Sequence, residues 1–249
     1  MKDNHLKAIL ITSVGVLLMS FESLLIKLAN INAMTFSFYV GIFMFISINL
    51  ILFKNHKSQI SKTYTNSLFA VILCGALFGI SNIFFINAIK TTTVANTVMI
   101  FASAPVFSSL YSYLIYKEKS TKNIYISSFF IFLGLFVIFS SQLQAGDLLG
   151  NFYALVCVNL FALSFVILAK YKNANRFSIT ACAGLSASII SLFLADTLTI
   201  NYSILIILLI AGLLVSPMSR VLMGTGTKTL PATEVSLLMI IETNMEPVW

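Results

Sequence analysis

The chain alternates apolar blocks of about twenty residues with short polar joints, and twenty helical residues is about the length needed to cross the hydrocarbon of a bilayer. Such blocks lie near residues 8–28, 33–53, 66–89, 94–116, 123–140, 148–169, 177–195 and 203–223, and a ninth begins near 233. The joints hold no Pro-rich linker, low-complexity tract or long charge run, so the pattern predicts a single bundle with no separate soluble domain. The first block follows Lys2 and Lys7 as a signal peptide does. It runs on to about Leu28 without a small-residue cleavage site, however, and is expected to stay as a helix.

Composition agrees with an all-α integral membrane protein. Of 249 residues, 59% are hydrophobic and only 9% charged, and the mean hydropathy is +0.98. The net charge of +7 reads as a topology signal rather than a nucleic-acid footprint. With the N-terminus in the cytoplasm, Lys2, Lys7, Lys54, Lys57, Lys62, Lys117, Lys119, Lys122, Lys170, Lys172, Arg176 and Lys228 all fall on that side, leaving only Lys27, Lys90 and Arg220. Cys74, Cys157 and Cys182 are scattered through the apolar blocks as small fillers, and no spacing suggests a metal or cofactor.

The two halves of the sequence also echo each other. Ala104-Pro105-Val106-Phe107 returns as Glu246-Pro247-Val248-Trp249 at an offset of 142, Lys27 pairs with Lys170 at 143, and Lys90 pairs with Lys228 at 138. These offsets divide the chain into a first repeat over 1–141 and a second, incomplete one over 142–249. Five helices per repeat is an odd number, so the second copy must enter the membrane inverted relative to the first. Completing it like the first would add roughly 33 residues. The expected architecture is therefore a ten-helix, five-plus-five inverted-repeat transporter fold, cut here within its ninth helix.

At these residues a family resemblance becomes specific. Ala102-Ser103-Ala104-Pro105-Val106-Phe107, Lys117-Glu118-Lys119 and Gly134 resemble the first half of EamA-type members of the drug/metabolite transporter superfamily. Leu230-Pro231-Ala232-Thr233-Glu234-Val235-Ser236 and the stretch from Glu242 to Trp249 are similar to the matching part of the second half. The resemblance implies a bacterial inner-membrane carrier with cytoplasmic ends, a central cavity and alternating access, exporting a small metabolite or drug-like solute. Its partners would be that solute and membrane lipids, with protons as a coupling ion and a homodimer allowed.

A charge near the bilayer centre costs about 2.5–3.5 kcal/mol even on permissive scales, so intramembrane acids should face the bundle interior. Glu22, Glu242 and Glu246 qualify, and the last two share a helix face beside Pro247. Burial favours the neutral form of a carboxyl, so the three are expected as coupling or cation-binding groups, against the plainer reading of protonated packing residues. The repeat register pairs Glu22 with Phe165, Glu242 with Ile100 and Glu246 with Ala104, so these acids are not products of the duplication.

Asn82 and Asn96 are candidate solute contacts or interhelical hydrogen-bonding groups. Pro105 and Pro247 are candidate helix breaks. Arg220 lies close enough to a helix end to snorkel, and pointed inward it can hold an anionic group. Two rival functions stay open. An intramembrane enzyme would lack an obvious nucleophile or metal set, since His5 and His56 lie in joints, and a noncatalytic membrane module would use the GxxxG face at Gly75 and Gly79.

Overall fold

A computed structural model describes residues 2–56, 59–118 and 148–239, together with positions 122, 125, 126, 129, 130, 133 and 137. The helices are α1 (Lys2–Leu28), α2 (Ala33–His56), α3 (Ile60–Thr65), α4 (Leu68–Thr91), α5 (Val94–Phe101), α6 (Ala104–Tyr116), α7 (Leu148–Lys170), α8 (Arg176–Leu194), α9 (Tyr202–Ile210), α10 (Ser216–Gly226) and α11 (Ala232–Leu238). Among the described residues seven spans are long and apolar enough to cross a membrane, with α9 and α10 forming one of them. The block expected over 123–140 falls mostly outside the described residues, as does all of the ninth beyond Met239.

Two blocks that read as unbroken helices are interrupted. The chain turns at Ala102 and Ser103 between α5 and α6, and Pro105 occupies the first turn of α6. A proline nitrogen cannot donate to the preceding turn, which makes this a natural place for a new helix to begin. Between α9 and α10, Ala211–Val215 adopts a π-helical turn. The Ser216 amide donates five residues back to the Ala211 carbonyl, and Pro217, four residues after Leu213, brings no N–H to the Leu213 carbonyl. The Ser47 hydroxyl of α2 donates to that carbonyl instead, at 2.8 Å.

Small residues set the helix crossings. Gly41 of α2 and Gly184 of α8 lie back to back: a Cβ on Gly41 would come within 2.6 Å of the Gly184 carbonyl, and one on Gly184 within 2.5 Å of the Gly41 carbonyl. Gly75 and Gly79 let α4 approach the other side of α8. On its remaining flank α4 packs along α7, where Phe78 meets Phe161 and Phe165 edge to face with ring centroids 5.4 Å apart. Large side chains such as Phe53, Phe69, Phe193 and Tyr202 point outward, as suits a protein whose solvent is lipid.

Candidate functional site

Helices α1 and α10 run antiparallel with a register fixed by small residues. Gly15 sits against Met223, and Gly226 sits against Thr12. Seven residues further along α1 is Glu22, and seven residues back along α10 is Ser216, which places the two opposite each other. The extra residue per turn in the π segment rotates the start of α10 so that Ser216 and Arg220, one helical turn apart, both look toward α1.

The result is a buried ion pair. Arg220 Nη1 donates to Glu22 Oε2 at 3.0 Å and Nη2 donates to Oε1 at 3.3 Å, while the Ser216 hydroxyl donates to Oε1 at 2.8 Å. Asn82 Nδ2 of α4 adds a fourth bond to Oε1 at 3.3 Å. Glu22 is fully buried, and 9% of the Arg220 side chain is exposed. Asn82 Oδ1 is buried and has no hydrogen-bond partner among the described residues.

Three of the residues anticipated from the sequence, Glu22, Asn82 and Arg220, thus meet at one point. Arg220 does not snorkel to a helix end: its guanidinium turns inward because a buried carboxylate lies within reach, and a pair held by two N–H···O bonds outweighs the pull of the interface. Four donor groups surround the Glu22 carboxylate. Asn96 lies elsewhere, with its Nδ2 donating to Thr92 Oγ1 at 3.0 Å. Glu242, Glu246 and Pro247 fall outside the described residues.

The offsets noted in the sequence set other residues against this cluster. At the offset of 138 that joins Lys90 to Lys228, Ser216 pairs with Phe78 and Arg220 with Asn82, while Glu22 pairs with Phe165. Where one site holds a carboxylate, a hydroxyl and a guanidinium, the other holds the Phe78–Phe165 ring contact.

Three residues were not singled out from the sequence. Ser216 and Pro217 sit in an apolar block where the proline was the available signal. Arg176 was counted only as an end-of-helix cation, yet it is 3% exposed. It donates to the carbonyls of Leu168, Tyr171, Lys172, Ala174 and Gly224 and to the Thr227 hydroxyl, tying the end of α7 and the start of α8 to the end of α10. Together Arg176 and Arg220 line a small void of about 10 Å³ with Phe78, Thr180 and Gly224.

A wider cavity of about 520 Å³ opens at the lysine-rich end of the bundle, lined by Glu118, Lys170, Lys172, Thr227 and Glu234 among others. Lys170 is paired there with Glu118 and also sits over the Tyr116 ring. Thr227, which lines this cavity, is bonded to Arg176, which lines the small void.

Comparison with known proteins gives three findings. The model of the EamA-like transporter family matches residues 6–140. A solved structure described only as a crystal structure of a protein superimposes with a TM-score of 0.74, over 97% of this chain and 88% of its own, at 16% sequence identity. That likeness is one of fold. No curated protein sequence gives a significant match.

Proposed function

The chain belongs to the EamA-like transporter family and is a multi-pass membrane protein; from that premise we propose that it is a secondary carrier moving a small metabolite or drug-like solute by alternating access. The observation carrying this reading is the Glu22–Arg220–Ser216 cluster, an ion pair buried within a span. Ionisable groups inside a membrane bundle are costly to keep and by default mark a solute or ion path.

The reading extends to architecture. Residues 1–141 and 142–249 would belong to the two inverted repeats of a five-plus-five, ten-helix fold. Gly41 and Gly184 support it: they differ by 143, the offset of Lys27 and Lys170, and they meet each other across the α2–α8 crossing. A position that packs on its own repeat-equivalent is what a twofold relation produces along its axis. The pairings of α1 with α10 and of α4 with α7 exchange under the same relation.

The π turn and Pro217 beside the cluster offer a place for α10 to rearrange as access switches. The lysine-rich end faces the cytoplasm of a bacterial cell and the direction is export, with Glu22 as the coupling group. Glu242 and Glu246 remain proposed as cavity acids, and Asn96 as a polar wall residue.

The test is flux. Protein in proteoliposomes is screened with radiolabelled solutes of each charge class, and Glu22→Gln and Arg220→Gln are compared with the parent at matched folded fraction. The carrier reading expects saturable flux that either substitution removes. Flux of no solute, or flux indifferent to both substitutions, contradicts it.

A further inference from the structure

Resting on the carrier reading, we propose that the solute carries a single anionic group, that this group takes the Arg220 guanidinium from Glu22, and that Glu22 takes up one proton in exchange. The argument starts from charge. The void beside Arg220 is lined by a second guanidinium, Arg176, and by no carboxylate among the described residues. Arg176 spends its N–H groups on carbonyl and hydroxyl oxygens, and no carboxylate pairs with it among the described residues. The same end of the bundle holds Lys228, pushed below the ordinary lysine value by burial and then by the charge of Arg176. An anion entering this space meets two positive groups, and a cation is repelled by both.

Electroneutrality then sets the stoichiometry. The pair of Glu22 with Arg220 sums to zero, and the charge of Arg176, met by carbonyl and hydroxyl dipoles, is the same whether the site is empty or filled. Adding a monoanion alone leaves it negative in a low-dielectric interior, and adding a proton alone leaves it positive; each is costly. Adding both restores zero, so the proton leaves with the solute and export runs down the solute's own gradient. The charged groups reaching the locus are Glu22 from α1, Arg220 from α10 and, across the void, Arg176 from α8; α4 contributes the uncharged Asn82. No bond is made or broken except the O–H formed on Glu22, and Arg220 exchanges one oxyanion for another.

Asn82 suits this exchange. Its Nδ2 donates to the Glu22 carboxylate, while its buried Oδ1 has no partner among the described residues. Rotating the amide brings Oδ1 to accept from a protonated Glu22, so both states of the acid find a complementary partner in one side chain. In the present arrangement the void, about 10 Å³, has room for one water at most, and the anionic group enters as Glu22 withdraws.

The test uses three probes of similar shape and different charge: benzenesulfonate, benzenesulfonamide and benzyltrimethylammonium. Benzenesulfonate stays ionised throughout, so any proton taken up belongs to the protein. Calorimetry on the protein in nanodiscs, in two buffers of different ionisation enthalpy, counts protons per bound probe. The expected result is binding of benzenesulfonate alone, with uptake of about one proton. Glu22→Gln should bind it at least about tenfold more tightly with no uptake, because the competitor for Arg220 is gone. Arg220→Gln should lose it, and the thermal transition of each variant reports whether it is folded.

Binding without proton uptake in the parent overturns the proposal, and so does unchanged affinity in Glu22→Gln. Preference for the cation, abolished by both substitutions, overturns it while leaving the carrier reading intact. Binding of none of the three overturns it too; if flux of every solute is also absent, the carrier reading fails with it.

Discussion

Removing Arg220 should cost far more than removing the pair. Glu22 accepts four hydrogen bonds, two of them from the guanidinium, and is fully buried. In Arg220→Gln the carboxylate keeps Ser216 and Asn82 but loses its counter-charge, and an uncompensated buried charge destabilises by about 3–5 kcal/mol. In Glu22→Gln, Arg220 keeps the Ser216 carbonyl and is left as a cation beside Arg176, with a cost of similar size. With both replaced no charge remains, two amides can bond to each other, and the loss should shrink to about 1 kcal/mol. The cycle therefore closes with a coupling energy of roughly 5–9 kcal/mol, favourable in sign and above the ~0.5–3 kcal/mol that contacting residues usually show. The assay is reversible unfolding of the four proteins in bicelles. Single costs that add to give the double-variant cost would refute the reasoning, since they would mean that the pair contributes no specific interaction.

Other outcomes follow from the same geometry. Ser47→Ala should cost about 1–3 kcal/mol by orphaning the Leu213 carbonyl, and much less in a Pro217→Ala background, where the helix regains its own donor; unfolding of the two variants and their combination checks this. Gly41→Ala should destabilise by about 1–3 kcal/mol, because the new methyl meets backbone atoms of Gly184 and Ser188 rather than a movable side chain. Arg176→Lys, with three donors in place of five, should cost about 2–4 kcal/mol and loosen hydrogen-exchange protection at the ends of α7 and α10 together. Glu118→Gln should shift stability by under about 1 kcal/mol, since its pair with Lys170 is largely solvated.

The spans were legible because lipid imposes a single length on every crossing helix and selects apolar residues along it. Interior polar residues were legible for a related reason: a carboxylate at Glu22 has few tolerable places to face. The identity of its partner was not. Pairing Glu22 with Arg220, 198 positions away, depends on how α1 and α10 are rotated, and that is decided by the contacts of Gly15 and Gly226 rather than by periodicity. Arg220 itself satisfied two rules at once, snorkelling near a helix end and pairing inside, and only the approach of α1 selects between them. The π turn left a trace in Pro217, but proline is common in membrane helices and does not by itself indicate which way the backbone will reorganise. Arg176 obeyed the charge rule for topology while being buried, because carbonyl oxygens at two helix ends supply what water supplies elsewhere.

The central claim is that the locus between α1 and α10 is reached by solute alternately from the two sides of the membrane. A single cysteine in place of Ser216, in a background lacking Cys74, Cys157 and Cys182, can be probed with a membrane-impermeant thiol reagent applied to each side of sealed vesicles. Labelling from both sides, with proportions that shift when transported solute is added, is the predicted result; labelling confined to one side whatever the solute would contradict it.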